Sequence, residues 1–396
     1  MRQKLTLLVL PLSMALAACN STGPGGLSGN GTDGNGNGNG TGADNGNGNG
    51  SGGPGSTTQH TALDDRRTDY NEAIRTATLK LVGTLPTLET TKKIAAASDK
   101  KTAYTQELDK LLADPRFNGR MVKFWSDAMR MGGNGLDSAP VLAAQIMAEG
   151  RPYTELFTAK TGTCPTFDAQ ANTFQSADCQ NGVSTHAGVL TNPDVMKQFY
   201  SNMAFRRVRW VQETFVCTKF PAEVVATPTK VDGKDFTSPW DFNSIANDPI
   251  NFRDTKSVVC ANCHTTINHL APLFGNFDDM GQMQNQISVQ TPVAPDPVQT
   301  QLSHWLVAGQ KTAWRHGEEV ADLPALGSAM ATDPDVAECA VARMWNFAMS
   351  KEDIVTDLAT VPITVIETHV ASFAQSGFDL KATLREIMLS DDFTKF

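Results

Sequence analysis

The sequence predicts a mainly α protein: a helical N-terminal region, a central segment and a helical C-terminal region, behind a disordered Gly/Asn-rich tether. Three observations predict it. Apolar residues recur at the helical period from about residue 64 onward. Val-rich alternation is brief and isolated, so strand signals are weak. Residues 20–57 are almost wholly Gly, Asn, Ser, Thr and Asp, and they offer no apolar surface to offset the entropy of ordering.

The chain of 396 residues sets 33 Lys+Arg against 42 Asp+Glu, a net charge of −9. That balance argues against nucleic acid as a partner, since phosphate contacts need clustered Lys and Arg. No apolar run of about 20 residues is available to span a bilayer. At the start, Arg2 and Lys4 precede the apolar stretch Leu5 to Leu16, which ends in Leu16-Ala17-Ala18-Cys19. This pattern fits a bacterial lipoprotein signal over residues 1–18, with Cys19 carrying the acyl chains that hold the protein to a membrane. The alternative is an ordinary secretory signal that happens to contain a Cys. Asn20 after Cys19 resembles lipoproteins sent to the outer membrane, so the expected location is the cell envelope, facing the periplasm or the cell surface. Residues 19–59 form the tether, with an r.m.s. span of about 35 Å as a flexible coil.

Four N-terminal helices follow within residues 60–160. The first closes on Leu79 and Leu81 before Gly83 and Pro86. The second carries Tyr104, Leu108, Leu111 and Leu112 on one face and stops at Asp114-Pro115. In the third, Phe117, Met121, Phe124, Trp125 and Ala128 keep the same period until Gly132-Gly133. The fourth starts at Val141, Leu142 and Ile146 and is interrupted by Gly150-Arg151-Pro152. Residues 161–186 read as a polar loop and 187–290 as the central region. Within 291–396, Val298–Ala308, Pro334–Met349 behind the N-cap Asp333, Ile363–Ala374 and Leu380–Leu389 read as helices. Ser288 to Pro297 reads as a linker or surface loop, and Glu318-Glu319 as an exposed helix start.

Of seven Cys, Cys19 is assigned to lipid and Cys260 and Cys263 to a CxxC. Cys164, Cys179, Cys217 and Cys339 remain, and an exported chain is expected to oxidise them into two disulfides. Cys164 and Cys179 bracket a polar segment that a bond would close into a loop. Cys217 and Cys339 would then pair by elimination. Three connectivities exist, the sequence does not choose among them, and free buried thiols are the alternative.

Residues 260 to 264 read Cys-Ala-Asn-Cys-His, the attachment signature of a c-type haem. Two thiols separated by two residues reach the two vinyl groups on one porphyrin edge, and the following imidazole faces the iron. Cys260 and Cys263 would hold one covalent haem c, with His264 as proximal iron ligand. A zinc half-site lacks a second Cys pair, and a thioredoxin-like redox pair lacks its βαβ context. For the distal position, Met280 and Met283 follow His264 past a turn at Gly275 and are the candidate ligands, with core packing as the alternative. His304, His316 and His369 are further candidates, with a surface or satisfied-core histidine as the alternative, and His269 is read as a supporting neighbour. Trp240, Phe252, Trp305 and Trp314 would pack the core, line the haem pocket or lie on an electron path. Arg206, Arg207 and Arg209 would pair with haem propionates or form a solvated helix face.

Several motifs together resemble planctomycete-type cytochrome c proteins, extracytoplasmic single-haem proteins of mostly unassigned activity. In the N-terminal region these are Leu81-Val82-Gly83-Thr84-Leu85-Pro86-Thr87, Leu108 to Phe117, Trp125-Ser126-Asp127 and Arg151-Pro152-Tyr153. In the centre they are Gly188 to Pro193, Arg206-Arg207-Val208-Arg209, Cys260 to Asn268, Asn276-Phe277-Asp278 and Gly281. Toward the C-terminus they are Asp333 to Ala348, Phe373 to Leu380 and Leu389 to Phe393. The resemblance implies a largely helical protein with one covalent haem, and structural roles in packing and ion pairing for Trp125 and Arg130. The sequence departs from the family in length and in the reduction of a Pro-rich run to Phe220-Pro221-Ala222-Glu223. The functional expectation is a membrane-anchored c-type cytochrome that passes electrons to redox partner proteins at the cell envelope. Two alternatives stand beside it: a haem peroxidase or oxygenase with an open distal site, and a surface interaction lipoprotein with structural haem.

Overall fold

The computed structural model describes residues 65–219, 229–231, 234–236, 253, 258–291 and 294–396. Cys19, the signal and the tether lie outside the described residues, as do Trp240 and Phe252. The described chain is mainly helical, as the periodicity predicts.

Helices α1 (Tyr70–Val82), α2 (Leu88–Ala96) and α3 (Lys100–Ala113) each begin at a side-chain cap. Asp69, Thr87 and Asp99 accept from backbone N–H groups that have no partner inside the helix. Helix α4 (Arg116–Met129) buries Phe117, Met121, Trp125 and Ala128 of the stripe read from the sequence and leaves Phe124 half-buried. Leu81 is fully buried, whereas Leu79 is 38% exposed and lies off the core face. The sequence reading passes over α2 because that helix buries only Ile94, too little for a visible period. Helices α5 (Ser138–Ala148) and α6 (Glu155–Thr158) complete the N-terminal layer.

The polar loop holds a small hairpin, β1 (Thr166–Asp168) against β2 (Thr173–Gln175), inside the disulfide Cys164–Cys179. Helices α7 (Pro193–Gln198) and α8 (Phe205–Phe215) follow, then the ribbon β3 (Thr229–Val231) with β4 (Lys234–Phe236) and the long helix α9 (Val258–Phe274). A second disulfide, Cys217–Cys339, joins the residue beyond α8 to the C-terminal helices. Of the three connectivities the sequence left open, the structure has the one that closes the polar loop and joins Cys217 to Cys339.

Three expectations fail between α9 and the last helices. Ser288–Thr291 and Ala294–Gln299 are not a linker but an antiparallel ribbon, β5 and β6, with Val289 opposite Val298. Both strands of a two-stranded ribbon are edges, so Pro295 and Pro297 need not donate to a neighbour. Val298–Ala308 is accordingly not a helix: the strand runs to Gln299, and a 3₁₀ turn occupies Leu302–His304. The apolar spacing there serves Trp305, whose buried indole N–H donates to the Met203 carbonyl at 2.9 Å. Glu318-Glu319 is not a helix start either. Glu319 bridges to Ala313, and helix α10 (Leu323–Thr332) begins after its own cap, Asp322.

Helices α11 (Pro334–Met349), α12 (Ile363–Gln375), α13 (Leu380–Leu389) and α14 (Asp391–Thr394) close the fold, with Asp333 capping α11 as expected. These last helices pack on the first ones. The Tyr104 hydroxyl donates to the Met388 carbonyl at 2.7 Å, Arg385 pairs with Asp109 at 2.6 Å, and Arg67 and Phe396 exchange backbone bonds. Through the core runs a chain of ring contacts from Trp125 to Tyr153, Phe157, Phe215, Trp210 and Phe199. Trp125 is therefore a packing residue. Arg130 is an ion-pair residue, with Nη1 at 2.6 Å from Glu213 Oε2.

Candidate functional site

Residues 260, 263 and 264 all belong to α9. Positions i, i+3 and i+4 of a helix share one face, so the backbone sets Cys260, Cys263 and His264 along one stripe. The side chains of both cysteines lie outside the described residues. His264 is half-buried. Its Nδ1 lies 2.9 Å from Asn268 Oδ1, one helical turn along. An amide oxygen only accepts, so Nδ1 carries the proton and the lone pair resides on Nε2. Burial pushes the imidazole below its usual pKa, against the opposing pull of the Asn268 bond. Phe205, the first residue of α8, sets its ring edge-on to His264, with centroids 5.2 Å apart.

Helix α9 is anchored at its far end by Arg207, also from α8. Arg207 is 1% exposed. Its Nε and Nη2 donate to the Met196 carbonyl, its Nη1 to the carbonyls of Phe274 and Phe277, and its Nη2 also to that of Asp278, all between 2.7 and 3.1 Å. Five N–H donors make five bonds. Arg207 is thus neither a propionate partner nor part of a solvated face. Desolvation pulls its pKa down to about 10, which leaves it charged at neutral pH. Arg209 pairs with the buried Glu213 at 2.9 Å, and exposed Arg206 donates to the Tyr200 carbonyl.

The turn after α9 is equally tight. A Cβ on Gly275 would stand 2.9 Å from the Trp305 ring, and one on Gly281 would stand 2.2 Å from the Pro193 carbonyl oxygen, at a φ of 76°. Asp278 Oδ1 accepts from the backbone of Met280 and Gln282. Against the opposing effect of burial, these bonds and that from Gln284 hold the Asp278 carboxyl below its ordinary pKa.

Met280, on this turn, is 55% exposed; Met283 is half-buried and donates its backbone N–H to Asn181. Ten residues of helix, or about 15 Å at the α-helical rise, separate His264 from Phe274 at the near edge of this turn. Of the other histidines, His269 Nδ1 donates to the Lys311 carbonyl, and His304 Nδ1 accepts from Gln301 N–H. His369 bonds Glu386 at 2.7 Å between α12 and α13. The side chain of His316 lies outside the described residues. Trp314 is buried, with its N–H on Asp333. A surface cleft of about 220 Å³ between α6 and α10, lined by Phe157, Lys160, His186 and Ser328, holds none of the predicted site residues.

Sequence reasoning missed three residues of this site: Asn268 as partner of His264, Phe205 as its ring neighbour, and Arg207 as the anchor of α9. Only Asn268 had a signal, its i+4 spacing from His264.

Two family models match this chain. Residues 57–147 match PSCyt2, a protein of unknown function (DUF1549), and residues 181–287 match PSCyt3, a protein of unknown function (DUF1588). Both are planctomycete cytochrome-c-associated domains. The PSCyt2 segment takes in α1 to α4 and nearly all of α5; the PSCyt3 segment takes in α7, α8, α9 and the Asp278 turn. No curated protein matches the chain, and no solved structure does.

The donor set fits haem c. Two cysteines and a histidine share one face of a continuous helix, and the histidine is the neutral tautomer with its lone pair on Nε2.

Proposed function

We propose that this chain is a c-type cytochrome lipoprotein that binds one covalent haem and transfers electrons at the cell envelope. Cys260 and Cys263 would hold the porphyrin, and His264 would ligate the iron. The observation that carries the reading is the CxxCH face of α9 together with the His264–Asn268 bond. Bound there, the group supplies a one-electron iron couple. Asn268 holds the proton at Nδ1, Phe205 packs the ring edge, and Arg207 fixes the helix on which the ligand sits. Cys19 would anchor the protein to the membrane through acyl chains, and the Gly/Asn-rich tether would let the folded part meet redox partners.

One observation favours the haem-enzyme reading instead. The turn bearing Met280 and Met283 follows the opposite end of α9 from His264. An iron without a methionine ligand keeps a position for peroxide or oxygen.

The test is a pyridine haemochrome assay on protein matured in a haem-c-competent host, beside the Cys260→Ala/Cys263→Ala variant. Covalent haem lost in the variant supports the reading; colour that washes out under acid–acetone extraction removes it. A low-spin spectrum with a far-red methionine–iron band that Met280→Ala or Met283→Ala abolishes supports electron transfer. High-spin ferric haem that takes up cyanide or carbon monoxide supports the enzyme. Membrane retention lost in Cys19→Ala checks the anchor.

A further inference from the structure

We infer that Asn268 is a positioning residue that fixes the tautomer and ring orientation of His264 and thereby sets the reduction potential of the site. The inference rests on the haem reading above and assigns a determinant that the motif does not contain.

Asn268 is 2% exposed, so water does not compete for its amide oxygen. That oxygen meets His264 Nδ1 at 2.9 Å across one turn of the same helix. The helix itself is held: Arg207 ties its last carbonyl, that of Phe274, and the Phe277 carbonyl of the turn beyond it, and Trp305 closes on Gly275. Phe205 limits rotation of the imidazole from the other element. A ligating histidine whose second nitrogen donates to an acceptor becomes a more basic ligand, and a more basic ligand favours the oxidised metal. A neutral amide exerts this effect moderately. A carboxylate at the same place would exert it strongly, and an aliphatic side chain not at all. Asn268 therefore places the potential between two limits that single substitutions can reach.

The experiment uses the full-length holoprotein, with Asn268→Asp and Asn268→Leu made beside it. A haemochrome assay first counts covalent haem in all three, and spectroelectrochemical titration at pH 8 then gives the midpoint. We expect Asn268→Asp to shift the reduced-to-oxidised ratio at a fixed poise at least tenfold toward oxidised, about 59 mV downward for one electron. We expect Asn268→Leu to move it upward. Covalent haem in all three with an unmoved midpoint in Asn268→Asp overturns the inference alone. Shifts of the same sign in both variants also overturn it, because they mark a merely structural residue. Should Asn268→Leu fail to fold, Asn268→Asp decides by itself, since it keeps the acceptor and the volume. Absence of haem from the unmodified protein overturns the haem reading and the inference with it.

Discussion

Arg207 shows how one side chain can organise a site that it does not enter. Its guanidinium joins α8 to the carbonyls at and just beyond the end of α9 and to that of Met196 in α7. Truncation would strand buried carbonyl oxygens, each costing about 1–3 kcal/mol when left unpaired. Arg207→Met is therefore expected to cost about 3 kcal/mol or more, read from the shift in the urea midpoint. Arg206→Met, at an exposed position with one long bond of 3.4 Å, should stay within about 0.5 kcal/mol of the unmodified protein. Equal effects of the two would contradict the anchoring role. The contrast was not legible in the sequence, where Arg206 and Arg207 are neighbours in one basic cluster. Burial separates them, and burial depends on carbonyls at and just beyond the end of α9, 67 to 71 residues further along the chain. That Cys260, Cys263 and His264 share one helix face was legible because the three are contiguous in the sequence. Asn268 was half-legible, by spacing alone.

At the scale of elements, helices with a sustained apolar stripe were legible: α4, α11 and α13 begin within two residues of their expected starts. Elements that bury one or two residues were not. Helix α2 buries Ile94 alone, and the ribbon of β5 and β6 contains two prolines and no clean alternation. That the four cysteines form two disulfides was legible, while their connectivity was left open among three; the unequal loops make an ordered prediction. Cys164–Cys179 closes 15 residues and Cys217–Cys339 closes 122. Chain entropy assigns them about 3 and about 5 kcal/mol. Replacing Cys217 and Cys339 together with Ala should therefore destabilise more than replacing Cys164 and Cys179, by chemical denaturation of each double variant. The longer bridge also ties the residue beyond α8 to α11. Its loss is expected to raise amide exchange in α8, while loss of the shorter bridge should confine the change to the hairpin of β1 and β2.

The response of the whole molecule to acid follows from carboxylates that hold helices together. Burial opposes ionisation of Asp353, yet the backbone N–H groups of Thr356 and Val355 and the Arg343 guanidinium at 2.9 Å keep its pKa below the ordinary value. Burial likewise opposes ionisation of Glu107, and Lys110 and Lys93 at 2.8 and 2.6 Å overcome it. A carboxyl with a folded pKa below its unfolded one binds fewer protons in the folded state. It contributes stability above the unfolded value of about 4, and that contribution is lost as pH falls through the folded value. The urea midpoint should therefore be flat from about pH 7 to 5 and fall below about pH 4. Arg343 also donates to the Glu213 carbonyl, while the Glu213 side chain pairs with Arg130 and Arg209. Asp353 thus closes a network joining α4, α8 and α11. Asp353→Asn keeps an oxygen for the two backbone donors and removes the charge. It should lower the midpoint near neutrality and shallow the acid limb. An acid limb as steep as that of the unmodified protein would assign the pH response to other carboxylates.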